Sequence, residues 1–504
     1  MFWRLMLRFW REGVWVRLLG AAVVVLILEV SPVPRSLLLA LDRAGAAARS
    51  GDYAGAAEAY HQAYLYQPWV FDHLAAAAEA ELRAGHYDEA ERSLNALASL
   101  RPLRAEEMLW LGSIYAGQGR IEAAVLAWEE ARFWGAADTG SMTQLTDIYL
   151  ARGEWRKAAQ ALEALAELAP ADADLHYRLG LIQALDDPDK AAISLATAAS
   201  LDLQLAERLI PLRASLFERP TQPPDLAYAR LGVLDIGLEE WALAEEALSR
   251  AVALNPAYGE ALAYLAYVRV RLGKPGLGAA QQALALSPDS PLVHYLAGLT
   301  WKEYGRPLEA RAAFEQAYSL DPRNPAFAVE IASTYRTEHA FEWAELWMNQ
   351  AVHLAGDDLR FHILRVQFYV DEEYRVEEVG LPLALELVEK APEDAQARDA
   401  LGWAYFLVGE REKAAQELDQ ALALDPKLAR AHVHLGMLLE VDGLPHRAVP
   451  HYRRASALEP DGPFGAMARR ALERLGGEGR IGAALAKRVW QTHVDSTLVE
   501  KARG

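Results

Sequence analysis

Small and apolar residues recur along this chain on a fixed period. Ala56, Ala90, Ala124, Ala158 and Ala192 stand 34 residues apart, and Gly51, Gly85, Gly119 and Gly153 share that spacing. Pro68 and Pro102 keep the same register, and Pro170 follows two periods on. An insertion of 18 residues then separates Ala192 from Ala244, after which Ala310, Ala344, Ala414 and Ala448 continue the series. One unit in this second half is two residues short and another two residues long. Pro256, Pro288, Pro322, Pro392, Pro426 and Pro460 close the units there. Self-similarity at such a period marks a solenoid, in which each unit buries its apolar face only against its neighbours.

Each period predicts two helices. In residues 395–428, Leu401, Gly402 and Tyr405 share one face of a first helix, and Gly409 ends it as a C′ residue does. Ala414, Leu418 and Ala421 line the inner face of a second helix. Pro426 stops that helix, because its ring removes a donor and disfavours helix just before it. Short side chains let two antiparallel helices approach closely. The large ones fill the space between units.

The order Leu-Gly-x-x-Tyr, then Gly, Ala, an aromatic or Leu, Ala and Pro, resembles the tetratricopeptide repeat. The best copies are 395–428 (Leu401, Gly402, Tyr405, Ala414, Pro426), 429–462 (Leu435, Gly436, Gly443, Ala448, Tyr452, Ala455, Pro460) and 291–324 (Gly298, Gly305, Ala310, Phe314, Ala317, Pro322). About twelve such units lie in register over residues 37–462. The resemblance implies an all-α fold, a right-handed α-solenoid of helix-turn-helix repeats in two blocks, with an N-terminal hydrophobic helix. Two units depart from the pattern: 173–206 has Asp187-Pro188 in place of the turn glycine, and 359–394 lacks the Leu-Gly pair.

Residues 207–224, with Pro220, Pro223 and Pro224, predict a short helix from Leu209 to Phe217 and then a stiff extended linker. The expected organisation is therefore an anchor at 1–36, repeat blocks at 37–206 and 225–462 joined by this linker, and a capping helix and basic tail at 463–504.

The N-terminus adds a membrane signal. Leu18 to Leu28 is an apolar run preceded by Arg4, Arg8, Arg11 and Arg17 and flanked by Trp3, Trp10 and Trp15. A full span needs about 20 apolar residues, so residues about 14–30 make a marginal one, with Arg17 snorkelling. No A-x-A-like cleavage site follows. A cleaved signal and a soluble cap helix are the alternatives to an uncleaved anchor. The basic flank predicts a cytoplasmic N-terminus and extracytoplasmic repeats.

Charge and cysteine content narrow the classes. The net charge is −19, so general nucleic-acid binding is not expected. Residues 1–35 carry +3 and 463–504 carry +4, around a body of −26. The chain has no Cys, which removes disulfides, thiolate metal sites and cysteine nucleophiles. Phosphate-binding loops, H-E-x-x-H and G-x-S-x-G are absent, and no catalytic residue, cofactor or small-molecule substrate is expected. His432, His434, His446 and His451 form the one histidine cluster, weighed as a metal site against solvent-facing helix residues. Trp128, Trp155, Trp241 and Trp301 are assigned to repeat cores. The four Asn, Asn95, Asn255, Asn324 and Asn349, fall outside the predicted first helices, so a carboxylate clamp for a peptide C-terminus is not expected.

These readings describe a membrane-anchored scaffold or adaptor for an assembly such as envelope biogenesis, secretion or polysaccharide export. The alternative is a non-catalytic accessory subunit that holds an enzyme such as a glycosyltransferase or peptidase. By resemblance to the family, the first helices line a concave groove. The inward positions are Tyr177, Leu181, Leu226, Val233, Ile236, Tyr267, Val270, Leu292, Tyr295 and Leu299. Such an apolar stripe suits protein partners that offer extended or helical apolar segments. Packing of these side chains on each other, or occupation by the tail 480–500, are the other readings.

Overall fold

The computed structural model describes residues 34–460 and 462–477; all but the last three residues of the expected anchor, and most of the tail, lie outside them. The described residues form 27 α-helices and no strands, and fall into two compact units, Met1–Leu234 and Asp235–Gly504. None of these helices is long and apolar enough to cross a membrane.

The first unit stacks five antiparallel pairs: α1 (Arg35–Ser50) with α2 (Tyr53–Tyr66), α3 (Phe71–Arg83) with α4 (Tyr87–Leu100), α5 (Ala105–Gly117) with α6 (Ile121–Phe133), α7 (Thr139–Arg152) with α8 (Trp155–Leu168), and α9 (Ala173–Asp186) with α10 (Pro188–Leu201). After them come α11 (Leu203–Arg208), α12 (Ile210–Glu218) and α13 (Pro224–Gly237), which runs across the division. The second unit holds α14 (Trp241–Leu254) and six pairs: α15 (Gly259–Arg271) with α16 (Leu277–Leu286), α17 (Pro291–Glu303) with α18 (Pro307–Leu320), α19 (Pro325–Thr337) with α20 (Phe341–Ala355), α21 (Leu359–Asp371) with α22 (Leu381–Lys390), α23 (Ala395–Leu407) with α24 (Arg411–Leu424), and α25 (Ala429–Val441) with α26 (Pro445–Leu458). The helix α27 (Pro463–Gly477) follows α26 and packs on it.

Local chemistry sets the helix ends. Asp138, Asp172, Asp187, Asp358 and Asp394 each accept a backbone N–H of the helix they precede, filling an otherwise orphaned donor. Gly409 adopts φ 91° between the two helices of its pair, the left-handed conformation that glycine tolerates best. Glu239, His339 and Glu373 stand at the same turn and adopt φ 67°, 55° and 51° without that freedom.

The close approach inside a pair has a specific geometry. A first-helix glycine faces a large residue sixteen positions on. A Cβ on Gly402 would stand 2.8 Å from Leu418, and one on Gly436 2.7 Å from Tyr452. Gly112 faces Trp128 and Gly298 faces Phe314 in the same way. Trp128 is fully buried, whereas Trp155, Trp241 and Trp301 are only half-buried.

Two details differ from the periodic reading. At the Asp187-Pro188 turn the register slips by one, so that Ala191 rather than Ala192 is fully buried and Gly180 faces Leu195. The missing turn residue shortens the pair and rotates its second helix onto the neighbouring alanine. Residues 203–221 are helical almost throughout, ending in a 3-10 turn at Arg219–Thr221. Arg219 donates to the carbonyls of Ala184 and Leu185, and the Tyr228 hydroxyl donates to Leu185 as well. The prolines therefore cap and start helices here, since a ring with fixed φ fits the first helical turn.

Candidate functional site

The ten groove positions take three different environments. In the first unit, Tyr177 and Leu181 on α9 are buried, at 8% and 2% exposure. Leu226 and Val233 on α13 are exposed, at 42% and 36%. In the second unit, Ile236, Tyr267, Val270, Leu292, Tyr295 and Leu299 are all half-buried. Tyr295 packs its ring 5.8 Å from Phe314 and 5.4 Å from Phe327, and Leu299 joins the same cluster. Tyr267 meets Trp241 edge-on at 6.1 Å. Burial pushes both hydroxyls up from the ordinary tyrosine range, that of Tyr295 far above it.

Successive first helices of the second unit are also tied by ions. Arg271 on α15 meets Glu303 on α17 at 3.5 Å, and Lys302 on α17 meets Glu330 on α19 at 2.6 Å. Farther on, Arg430 of α25 reaches Asp399 of α23 at 2.9 Å and Asp371 of α21 at 2.5 Å. The other Asp399 oxygen is bound by His434 Nδ1 at 2.8 Å, and Trp403 stacks on the His434 ring at 4.2 Å. Asp399 is completely buried and His434 nearly so, at 4%. The periodic pattern predicts a solvent-facing residue at this histidine; instead it satisfies a buried carboxylate. Asn95 and Asn349 lie on second helices, while Asn255 and Asn324 cap helix ends.

His432 points the other way. Its Nε2–H donates to the Pro426 carbonyl at 3.1 Å, which leaves Nδ1 to accept from His451 Nδ1–H at 3.1 Å. Among the described residues, no group of three or more His, Cys, Asp or Glu is placed to hold a metal. The His432 bond recurs across repeats. His176 binds Pro170 O at 3.0 Å, His294 binds Pro288 O at 2.7 Å and His362 binds Gly356 O at 2.8 Å, each six residues back. Arg398 takes the same place against Pro392. A first-helix histidine thus seals the turn between repeats. The spacing Pro-x5-His that marks three of these four bonds is visible in the sequence, although periodicity of small residues alone does not draw attention to it.

The paired histidines carry a pH prediction. Burial lowers the His432 pKa below 6.5, opposed by the Pro426 carbonyl and Asp425. His451 is also lowered, first by burial and then by His432 and Arg447, with Asp419 opposing. A histidine depressed in the folded state binds more protons when unfolded, so its contribution is intact above 6.5 and is lost as pH falls below it. Hydrogen exchange on α25 and α26 should therefore quicken as pH is lowered through that value, after correction for intrinsic rates. Replacing both residues by Gln should flatten this dependence, and an unchanged slope would assign it elsewhere.

An aromatic cleft opens in the second unit. His339, Ala340, Phe341, Glu342, Trp343 and Tyr374 line a volume of about 280 Å³. Phe341 lies 5.5 Å from Tyr374 and 5.7 Å from His339, while Trp343 stacks on Tyr335 at 6.0 Å and remains 56% exposed. Irregular backbone shapes it. The repeat at 359–394, which lacks Leu-Gly, makes a π-helical turn at Val376–Gly380 preceded by Arg375 at φ 47°. Glu345 pins this loop, accepting from the hydroxyls of Tyr369 at 2.9 Å and Tyr374 at 3.2 Å and from Arg375 at 2.9 Å. Strained backbone and π turns are held in place only where surrounding contacts over-determine them. Rings beside a carboxylate make a surface fit for an apolar or cationic side chain.

Stacked helix pairs with a polar ladder on the first helices and an open aromatic cleft define a repeat scaffold. A family model for the tetratricopeptide repeat matches residues 75–137, 144–202 and 400–463, and these segments are tetratricopeptide repeats. No curated protein matches the chain. Among solved structures, yeast Tom70 is 16% identical with a TM-score of 0.40, covering 90% of this chain and 99% of its own. A tetratricopeptide-repeat protein from Parabacteroides merdae is 16% identical with a TM-score of 0.42, covering 50% of this chain and 98% of its own. YrrB, described as having an unusual peptide-binding site, is 17% identical with a TM-score of 0.26, covering 39% of this chain and 98% of its own.

Proposed function

We propose that the chain is a non-catalytic scaffold, held to a membrane by residues about 14–30, that grips a protein partner through the second unit in an envelope assembly or export machine. The repeats make it a protein-interaction scaffold. The observation that carries the partner reading is the aromatic cleft, because Trp343 stacks on Tyr335 yet stays 56% exposed, which leaves ring surface for a partner to bury. The groove positions of the second unit are a flanking surface in this reading, since Tyr267 and Tyr295 are already engaged with neighbouring rings.

The membrane part rests on the apolar run and its basic flank. A reporter that fluoresces only in the cytoplasm, fused after Gly504, should stay dark. A bright, membrane-associated fusion would reverse the orientation, and full-length chain in the soluble fraction would remove the anchor.

The partner part is tested by co-purification from membranes. Trp343→Glu should leave folding intact and reduce recovery of partners by about tenfold or more, as loss of an aromatic anchor worth at least ~1.4–2 kcal/mol does. Full recovery with this variant would exclude the cleft. Several non-enzymatic partners would mark a scaffold, and one enzyme at fixed ratio an accessory subunit.

A further inference from the structure

The first repeat has two unlike ends. Leu37 and Ala40 near the start of α1 pack on Ala63 near the end of α2, so these two termini form one end of the hairpin. That end presents Leu38 (52% exposed), Leu39 (48%), Leu65 (77%) and Tyr66 (46%), with Trp69 (54%) in the connection that follows. The opposite end is the turn Ser50-Gly51-Asp52, which is polar and exposed. Five large apolar side chains left in water at one end of a repeat are costly, at about 25 cal/mol per Å² of apolar surface.

The chain itself points to what covers them. The apolar run ends at Leu28, and the described chain begins at Pro34, at the start of α1. Six residues reach ~20 Å at full extension. A segment that leaves a bilayer at Leu28 must therefore hold this end of the repeat within that distance of the lipid. Trp and Tyr are the side chains favoured at the headgroup level, where an apolar body and a polar tip are both satisfied. Arg35, exposed beside them, can reach lipid phosphates.

We infer that Leu38, Leu39, Leu65, Tyr66 and Trp69 form a lipid-facing surface that seats the first repeat on the headgroup–acyl boundary of the membrane. The inference rests on the anchor reading of residues 14–30 and adds to it a second contact. The span then sets not only where the chain is tethered but which end of the first repeat is turned to the bilayer, leaving its Ser50–Asp52 turn facing water.

A depth measurement tests this, and the absence of native cysteine makes it direct. Single-cysteine full-length chains, Leu65→Cys, Trp69→Cys, Ser50→Cys and Val24→Cys, are labelled with an environment-sensitive fluorophore. They are reconstituted in phosphatidylethanolamine–phosphatidylglycerol vesicles containing lipids spin-labelled high on the acyl chain, or near its end for the label at 24. Labels at 65 and 69 should lose about half their emission or more, as expected of groups sunk ~5–10 Å into the boundary, and the label at 50 should lose none. Quenching at 24 without quenching at 65 and 69 would keep the anchor and overturn the lipid-facing surface. Quenching at 65 and 69 but not at 24 would keep the surface and remove the anchor. Quenching at neither place would remove both. A blue-shifted but unquenched label at 65 would show the patch covered by this chain or a second copy, and would equally overturn the inference.

Discussion

Replacing Asp399 by Leu is expected to destabilise the end of the second unit by about 3–5 kcal/mol, because it leaves buried partners without their counter-charge. Asp399 has no exposure and binds Arg430 through one oxygen and His434 through the other. Arg430 is itself 8% exposed, and its remaining partner is the more exposed Asp371. The guanidinium cannot shed its charge, so it must either stay under-paired or pull α25 away from α23. Native-state hydrogen exchange should show α23 and α25 opening together in the variant while the first unit is unchanged. Joint replacement of Asp399, Arg430 and His434 by apolar residues of similar volume should recover much of the loss, since removing a whole buried network costs far less than breaking it. A loss below ~1 kcal/mol for Asp399→Leu would mean that water enters the site and screens it.

The second large effect is expected in the first unit. Trp128 has no exposed surface, and its indole N–H donates to the Leu109 carbonyl at 3.3 Å. Trp128→Ala should cost about 3–5 kcal/mol, from lost transfer energy and the cavity left behind. Gly112→Ala should cost about 1–3 kcal/mol, because the new methyl group would occupy the space of the same ring. The two changes share one site, so their combined cost should fall short of the sum, with the methyl group added at position 112 filling part of the void that the lost indole leaves. Strict additivity in a double-mutant cycle would show that the glycine is not there to admit the indole. Denaturant titration followed by exchange on α5 and α6 would keep the readout local, as stability in a solenoid is distributed among neighbouring repeats.

Much of the fold was legible because its determinants are local. A turn residue between two helices, a proline after the second and small residues where the helices touch each act within one 34-residue period, and each leaves a mark at that period. The helix expected from Leu209 to Phe217 was readable for the same reason and is present as α12, shifted by one residue to Ile210–Glu218. Where a local signal changed, the reading slipped by a small and explicable amount, as at Asp187-Pro188, where one missing residue moves the buried alanine from Ala192 to Ala191. The histidine bonds to the turn carbonyls are equally local, at a spacing of six, but the periodicity of small residues does not single them out.

The sites were less legible, because their members come together across repeats. Arg430 and Asp371 are 59 residues apart, and Glu345 gathers Tyr369, Tyr374 and Arg375 across 24 to 30. Sequence periodicity indicates which helix face is apolar, but not how far one repeat is turned against the next. That turn decides whether Tyr177 and Leu181 are covered, whether Leu226 and Val233 are open and whether Tyr295 is spent on Phe314 and Phe327. The sequence by itself determined the helix pairs, their period and the small residues that let them close. The tertiary structure decided which apolar side chains remain at the surface and which charges meet inside, because both depend on packing angles to which every side chain in an interface contributes and no single period records.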